Sequence, residues 1–233
     1  MDIIFSAFYK CVYLIANLDP YLIEVSVLTI TLSAASTLFA FVTGVPLGYF
    51  IAESNFWGKN FLTAIINTGM GLPPVVVGLF VALLFGRAGI FGALNILYSK
   101  TAIFLSQFII AFPLSCGLTI AACMEIPASF KLQLESLGVN NFQKARYMFG
   151  ELKNTMPVIL LASFGSVISE VGAVIMVGGN ILGETRVLTT AIVSEVRIGN
   201  YDIALAFAIV LLLISFAVNY IITSIQKKKK NAF

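Results

Sequence analysis

The sequence predicts an all-α integral membrane protein with about five transmembrane helices. Hydrophobic residues make up 59% of the 233 residues, charged residues make up 11%, and the mean hydropathy is +0.99. Ordinary soluble domains carry about 25% charged residues, because their surfaces must be solvated. The composition therefore excludes an ordinary soluble enzyme, a disordered chain and a disulfide-rich secreted module.

Five long apolar segments account for the predicted spans. About 20 helical residues cross a hydrocarbon core of about 30 Å. Backbone groups in lipid must be satisfied within the segment, which favours helices. Four of the segments contain no Asp, Glu, Lys or Arg, and the other contains only Glu170. Within a membrane domain of 20–226, we expect the spans 25–52, 60–86, 101–124, 154–183 and 203–226.

The N-terminal residues 1–19 form a shorter apolar segment. Asp2 stands where a signal peptide carries basic residues, and no small-residue cleavage site follows. Apolar side chains recur at helical spacing, which favours an interfacial helix in the headgroup region. They are Phe5, Phe8, Val12 and Ile15. A sixth span is the alternative.

The charges predict the orientation of the chain in the membrane. Four consecutive lysines at 227–230 follow the last span and open a basic tail, 227–233. Lysines beside a span favour the cytoplasmic side, where they also act as a simple stop-transfer anchor. With five spans, the N-terminus then lies outside and the segment 125–153 lies in the cytoplasm.

Few residues in the sequence are suited to catalysis or to metal binding. The chain has no histidine, and Cys11, Cys116 and Cys123 lie in apolar surroundings without metal-ligand spacing, so we expect small buried hydrophobic side chains and no metal site. No stretch matches the Gly-x4-Gly-Lys-Ser/Thr phosphate loop. We therefore expect no catalytic residue and no cofactor bound by this chain, and nothing points to a nucleic acid.

The 125–153 segment reads as helix, break, helix. Gly138 suits the left-handed position that ends a helix, and Asn140 or Asn141 can cap the next one. Spacing predicts two apolar faces: Phe130, Leu134 and Leu137 on the first helix, and Phe142, Ala145, Phe149 and Leu152 on the second. Two interpretations stay open at this point: the pair lies on lipid or beneath the bundle, or it docks a cytosolic partner.

The second span contains a double proline. Pro73 and Pro74 remove two backbone donors, which predicts a kink or a broken helix. Gly71 and Gly78 flank them and permit close approach of another helix. Such a break either lines a cavity or serves packing alone.

The fourth span contains the one charge in any predicted span, Glu170. A carboxylate in lipid should face the bundle interior and find donors, or be protonated. A structural carboxylate bonded to neighbouring helix ends is the simplest role. The sequence Gly178-Gly179-Asn180 then predicts a helix break, followed by the donor-rich residues Thr185, Arg186, Thr189 and Thr190. The Arg186 guanidinium suits a tetrahedral oxyanion, and an ordinary interfacial arginine is the alternative.

Together these stretches resemble the permease subunits of tungstate ABC importers, within the molybdate, tungstate and sulfate group. The sequences GLPPVVVGL, ISEVGAVIMVGGNI and TRVLTTAI carry the resemblance, which covers roughly residues 22–225. The 125–153 segment is similar to the family's cytoplasmic coupling loop only in its general apolar pattern and in Gly138. Leu132, Gln133 and Leu134 stand at the Glu-Ala-Ala positions of that motif, and Glu151 replaces its final proline.

The resemblance implies a type I ABC importer permease in a bacterial or archaeal cytoplasmic membrane, working by alternating access. It also implies a second permease copy, ATPase subunits that bind ATP and Mg, and an extracytoplasmic oxyanion-binding protein. The implied ATPase contact comprises Leu134, Glu135, Ser136, Leu137, Gly138 and Val139. The implied pathway or gate comprises Gly71, Pro73, Pro74, Gly78, Glu170, Gly178, Gly179, Asn180, Thr185, Arg186 and Thr189.

Three alternatives to tungstate import remain. Molybdate or sulfate is the other substrate within the same class. An ion-coupled carrier or channel would use Glu170 as its proton or cation site. A membrane-embedded enzyme is disfavoured, because histidine and clustered Asp, Glu or Cys residues are missing from the sequence.

Overall fold

A computed structural model describes the backbone of residues 2–230 and the side chains of Phe8, Tyr9 and residues 11–226. Predictions for Phe5, for the lysine side chains at 227–230 and for 231–233 fall outside these described parts. Across 2–230 the regular structure is entirely helical. Its α-helices are α1 Asp2–Ala16, α2 Pro20–Glu53, α3 Lys59–Met70, α4 Pro74–Phe85, α5 Lys100–Met124, α6 Ala128–Ser136, α7 Asn141–Glu151, α8 Met156–Ile168, α9 Gly172–Gly178, α10 Leu188–Ile198 and α11 Tyr201–Lys230.

Among the described residues, three helices are long and apolar enough to cross a membrane: α2, α5 and α11. Two bent pairs have the length and composition of one span each. The α3–α4 pair bends by 102° and the α8–α9 pair bends by 63°. These elements follow the order of the five predicted segments. The 154–183 segment was expected to stay helical as far as Gly178, but its helix breaks earlier, between Ile168 and Gly172.

Local sequence explains where the long helices begin. The Asp19 carboxylate accepts hydrogen bonds from the backbone N–H of Tyr21, at 3.0 Å, and of Leu22, at 3.2 Å. Pro20 occupies the first turn of α2, where its missing N–H removes no helical bond. Ser99 caps α5 through the N–H of Ala102 at 3.4 Å. Each cap satisfies a donor that the first helical turn leaves unpaired.

The centre of the bundle is the packing of α2 along α5, supported by α8. Gln107 on α5 accepts from the Ser36 hydroxyl at 3.1 Å and donates to the Ser33 hydroxyl at 3.3 Å. The hydroxyls of Ser115 on α5 and Ser163 on α8 lie 3.0 Å apart. Polar side chains buried between membrane helices need such partners, because neither lipid nor the helix backbone supplies them. These bonds fix the register of the three helices.

The N-terminal helix α1 packs against α11. Cys11 is fully buried in a cluster with Leu22 and Phe207. Cys116 and Cys123 are fully buried as well, so all three cysteines are the small buried hydrophobic side chains that the sequence predicts. The interfacial placement of α1 stays a prediction.

Candidate functional site

The breaks in the two bent spans lie side by side. Val75, in the first turn of α4, lies so close to Gly172, in the first turn of α9, that a Cβ at Gly172 would collide with the valine methyl. One turn further along α4, a Cβ at Gly78 would lie 2.7 Å from the Cα of Ala173. Only glycine permits this approach, which confirms the expected role of Gly78. The close packing holds α4 and α9 together directly beside both breaks.

The double proline ends α3 and begins α4. The Pro73 carbonyl accepts hydrogen bonds from Val76 N–H at 2.8 Å and from Val77 N–H at 3.4 Å, which starts the new helix. Prolines at 73 and 74 are thus tolerated where no helical donor is required. The predicted break is confirmed. No helix of the described chain packs closely on Gly71, because a Cβ there would meet only the Thr68 carbonyl oxygen, at 3.8 Å. A role for Gly71 in the pathway stays a prediction.

Glu170 forms the second break and is half-buried. Its Oε1 accepts from the backbone N–H of Ala173 at 3.0 Å, so the carboxylate satisfies a donor at the start of α9. Its own carbonyl accepts from the Thr189 hydroxyl at 2.8 Å, which ties the break to α10. The carboxylate finds a donor as expected, and this contact favours the structural role.

Polar side chains flank both breaks on the outside of the chain. Asn67 and Thr68 on α3 are exposed, as are Ser166 and Ser169 beside Glu170. Uncharged polar groups at membrane depth avoid lipid and face water or another protein chain. The two breaks therefore border a surface that is suited to a water-filled passage or a second subunit.

The chain leaves α9 through a tight turn. Gly179 and Asn180 have positive φ values of 69° and 52°, which confirms the predicted helix end after Gly178. The buried Thr185 hydroxyl donates to the Gly178 carbonyl at 2.6 Å and accepts from Ile181 N–H at 2.9 Å. The hydroxyl groups of Thr185 and Thr189 thus both bond to backbone carbonyls within the chain.

Arg186 lies in an ion-pair network at the end of the bundle opposite α6 and α7. Its Nη1 donates to the Tyr21 hydroxyl at 2.7 Å and lies 3.5 Å from Glu195 Oε1, and its Nε donates to Asn180 Oδ1 at 3.2 Å. Tyr21 in turn donates to Glu195 at 2.9 Å, and Asn200 donates to the other oxygen of Glu195 at 2.9 Å. An oxyanion contact by Arg186 stays a prediction. Sequence reasoning missed Tyr21 and Glu195, and no local signal could have found a partner 165 positions away.

We expect Arg186→Ala to destabilise the protein, because it leaves the Glu195 side chain, only 5% exposed, without its cation. Removing one partner of a buried ion pair costs about 3–5 kcal/mol. Thermal unfolding in detergent measures the loss, and the double variant Arg186→Ala/Glu195→Gln should recover most of it. If Arg186→Ala unfolds like the wild type and lowers only anion uptake, Arg186 is a substrate contact and not a structural one.

The 125–153 segment has the predicted helix–break–helix form. Gly138 has a φ of 67° and open space around it. The Asn140 side chain accepts from Gln143 N–H at 2.8 Å, and the Gln143 side chain accepts from Asn140 N–H at 2.9 Å. This reciprocal capping box begins α7. Both the left-handed glycine and the asparagine cap are confirmed.

The apolar side chains of the 125–153 segment are partly buried and partly exposed. Leu134 is 5% exposed, and Met148 and Leu152 are buried in a cluster with Ala122, Cys123 and Ile126. Leu137 and Phe142, which helical spacing places on the two apolar faces, are 76% and 80% exposed. The first helix ends at Ser136, so the turn through Gly138 rotates both side chains outward. Together with Leu132, 63% exposed, they form what we call the apolar tip.

The other predicted contact residues lie around this tip. Glu135 is exposed and pairs with Lys144 at 3.3 Å. The Ser136 hydroxyl donates to the Leu132 carbonyl at 3.0 Å, and Val139 is half-buried. Leu134 is the exception among the predicted residues, because it points into the protein and anchors the segment.

Comparison with known proteins identifies relatives of this chain. The chain is 36% identical over 228 residues to the tungstate uptake system permease protein TupB of Peptoclostridium acidaminophilum, covering 98% of this chain and 100% of that protein. A probable anion ABC transporter permease protein of Haloferax volcanii is 34% identical, over 85% of this chain and 88% of that one. Relatives named for molybdenum or sulfate transport are more distant, at 24 to 28% identity.

A solved structure shares the fold. A bacterial ABC transporter involved in alginate import matches with a TM-score of 0.73 and 22% identity, covering 93% of this chain and 83% of that one. The fold is that of type I ABC importer permeases. The family described as "Binding-protein-dependent transport system inner membrane component" matches residues 44–231. The chain therefore belongs to this family of membrane-spanning transport components.

Proposed function

We propose that the chain is the membrane-spanning permease subunit of an ABC importer that moves tungstate into the cell by alternating access. The full-length likeness to a tungstate uptake permease, at 36% identity, supports this substrate over molybdate or sulfate. Two copies of the chain would form the passage. A separate extracytoplasmic binding protein would deliver the anion. The solved alginate transporter supports this proposal, because it is in complex with a periplasmic protein bound to an alginate pentasaccharide.

One observation carries the pathway proposal: exposed polar side chains flank two adjacent helix breaks in an otherwise lipid-compatible surface. Uncharged hydroxyls and amides suit an oxyanion that must bind weakly enough to leave. Glu170 would shape this region as a structural carboxylate, since a negative group in direct contact would repel an anion. Gly78, Pro73 and Pro74 would hold the two breaks in place.

The apolar tip would dock in a groove of a partner ATPase, which would bind ATP and Mg. Leu132, Leu137 and Phe142 are large apolar side chains exposed at one end of the bundle, on a segment that also carries charged residues. This mixture suits a protein groove better than lipid. The 125–153 segment and the C-terminus would then face the cytoplasm, and the N-terminus would face outward.

Uptake by proteoliposomes tests the function. Vesicles that hold this chain and its ATPase should accumulate tungstate only with ATP and the binding protein present, with molybdate and sulfate competing less well. Tungsten is measured by mass spectrometry after filtration. Accumulation without the ATPase, driven by a proton or sodium gradient and lost in Glu170→Gln, would instead establish an ion-coupled carrier.

A further inference from the structure

A single carboxylate fastens both helices of the 125–153 segment to the bundle. Glu53, the last residue of α2, lies 2.6 Å from Lys131 Nζ on α6 and 3.2 Å from Lys144 Nζ on α7. The Glu53 side chain is only 11% exposed. One acidic group at the end of a span therefore contacts a cation on each of the two segment helices.

The opposite charges of Glu53 and the two lysines stabilise this contact. Burial alone would lower the pKa of Lys144, but hydrogen bonds to Glu53 and Glu135 outweigh burial and raise the pKa above its ordinary value. The lysine therefore stays charged throughout the physiological range. Without the Glu53 carboxylate, Lys131 would lose its ion pair and Lys144 would keep only the exposed Glu135, at 3.3 Å. The two lysines would then repel each other with no shared anion.

Apolar packing supports the same junction. The rings of Tyr49 on α2 and Phe149 on α7 lie 5.1 Å apart. Tyr49 and Ala52 also pack on a buried cluster from the end of α5 and from the segment: Ala122, Cys123, Ile126, Met148 and Leu152. The base of the segment is thus fixed to α2 and α5, whereas its turn at Gly138 stands in open space.

From this junction α2 runs the length of the bundle, about 50 Å for a helix of its size. It packs along α5 and α8. Helix α8 ends at the Glu170 break, and α5 also contacts α9 beyond that break. Helices α8 and α9, on either side of the Glu170 break, border the candidate passage. A displacement of the C-terminal end of α2 is therefore transmitted to both helices through rigid, packed elements.

We propose that Glu53 is the joint that transmits movement of the 125–153 segment to α2 and onward to the helix breaks. This inference rests on the proposed function, because it assigns to Glu53 the coupling of ATP hydrolysis to transport. Glu53 acts through other residues and touches no substrate, so it is a positioning residue. The apolar packing keeps the segment attached, and the ionic contact makes the attachment stiff.

The ratio of tungstate imported to ATP hydrolysed tests the inference in the complete reconstituted complex. Glu53→Gln should lower this ratio by about three- to thirty-fold. The ATPase should stay bound, and hydrolysis should continue. Glu53→Asp, which keeps the charge, should restore part of the ratio. Glu151→Gln, at an exposed carboxylate of the same segment, is the matched control and should leave it unchanged.

A second pair of substitutions guards against local misfolding at Glu53. Lys131→Gln/Lys144→Gln removes the same contact from the other side and should lower the ratio similarly. A wild-type ratio in both Glu53→Gln and the double lysine variant would overturn the inference while leaving ATP-driven uptake intact. A wild-type complex without ATP-dependent uptake would overturn the proposed function, and this inference with it.

Discussion

The double variant Leu137→Asp/Phe142→Asp is expected to lose the partner ATPase during purification. The two side chains are 76% and 80% exposed, so neither contributes a buried contact within this chain. Burying two such side chains in a partner groove stabilises a complex by about 3–6 kcal/mol. Losing this contribution, and adding two charges that must be desolvated, should weaken binding at least about a hundredfold. Co-purification and equilibrium binding of the ATPase in detergent measure the effect.

The matched control for the apolar tip is Ile90→Asp. Ile90 is 83% exposed, but it lies between α4 and α5, at the end of the bundle opposite the 125–153 segment. The control variant should retain the ATPase as the wild type does. Equal retention by the tip variant and the wild type would show that the ATPase docks elsewhere.

Gly78→Val is expected to separate α4 from α9 and to abolish transport. Even the first added carbon would lie 2.7 Å from the Ala173 Cα and 3.2 Å from its carbonyl oxygen, and backbone atoms cannot rotate away as a side chain does. Overpacking of this kind costs about 1–3 kcal/mol. The midpoint of thermal unfolding should fall by about 2–12 °C. Differential scanning fluorimetry and uptake assays measure the two effects.

Gly71→Val controls for the loss of a glycine beside the same double proline. A Cβ at Gly71 meets only a carbonyl oxygen at 3.8 Å, and its φ of −99° suits any residue. We therefore expect near wild-type stability for this variant. If Gly78→Val is as stable as Gly71→Val, the two helix breaks are not held together by the α4–α9 contact.

Features with a local cause could be predicted from the sequence. Gly138 and Asn140 fix the turn of the 125–153 segment through backbone conformation and a cap, which depend on neighbouring residues alone. The helix end at Gly178 has the same origin. The double proline also broke its helix as expected, whereas the single prolines Pro46 and Pro113 lie within continuous helices.

The break at Glu170 had no such signal. No proline or glycine separates Ile168 from Val171, and the helix ends where the Glu170 side chain bonds to the next helix and Thr189 binds its carbonyl. The contact with Thr189 spans 19 positions of the chain, so it is set by the fold.

The ionic contacts could not be predicted from the sequence either, because they also join distant positions of the chain. Lys131 pairs with Glu53 across 78 positions, and Tyr21 bonds to Glu195 across 174. Helical spacing also placed Leu137 on one face with Leu134, but Leu134 is buried and Leu137 is 76% exposed, because the helix ends at Ser136. The sequence therefore located the candidate regions, and the fold determined which side chains meet within them.

If a cytoplasmic ATPase drives this permease through the apolar tip, residue 137 must be accessible from the cytoplasm. Leu137→Cys, in a background with Cys11, Cys116 and Cys123 replaced by alanine, tests it by labelling with a membrane-impermeant maleimide. We expect no labelling in intact cells, labelling in inside-out vesicles stripped of the ATPase, and protection when the ATPase is restored. Labelling of intact cells from outside would contradict the orientation and the coupling that depends on it.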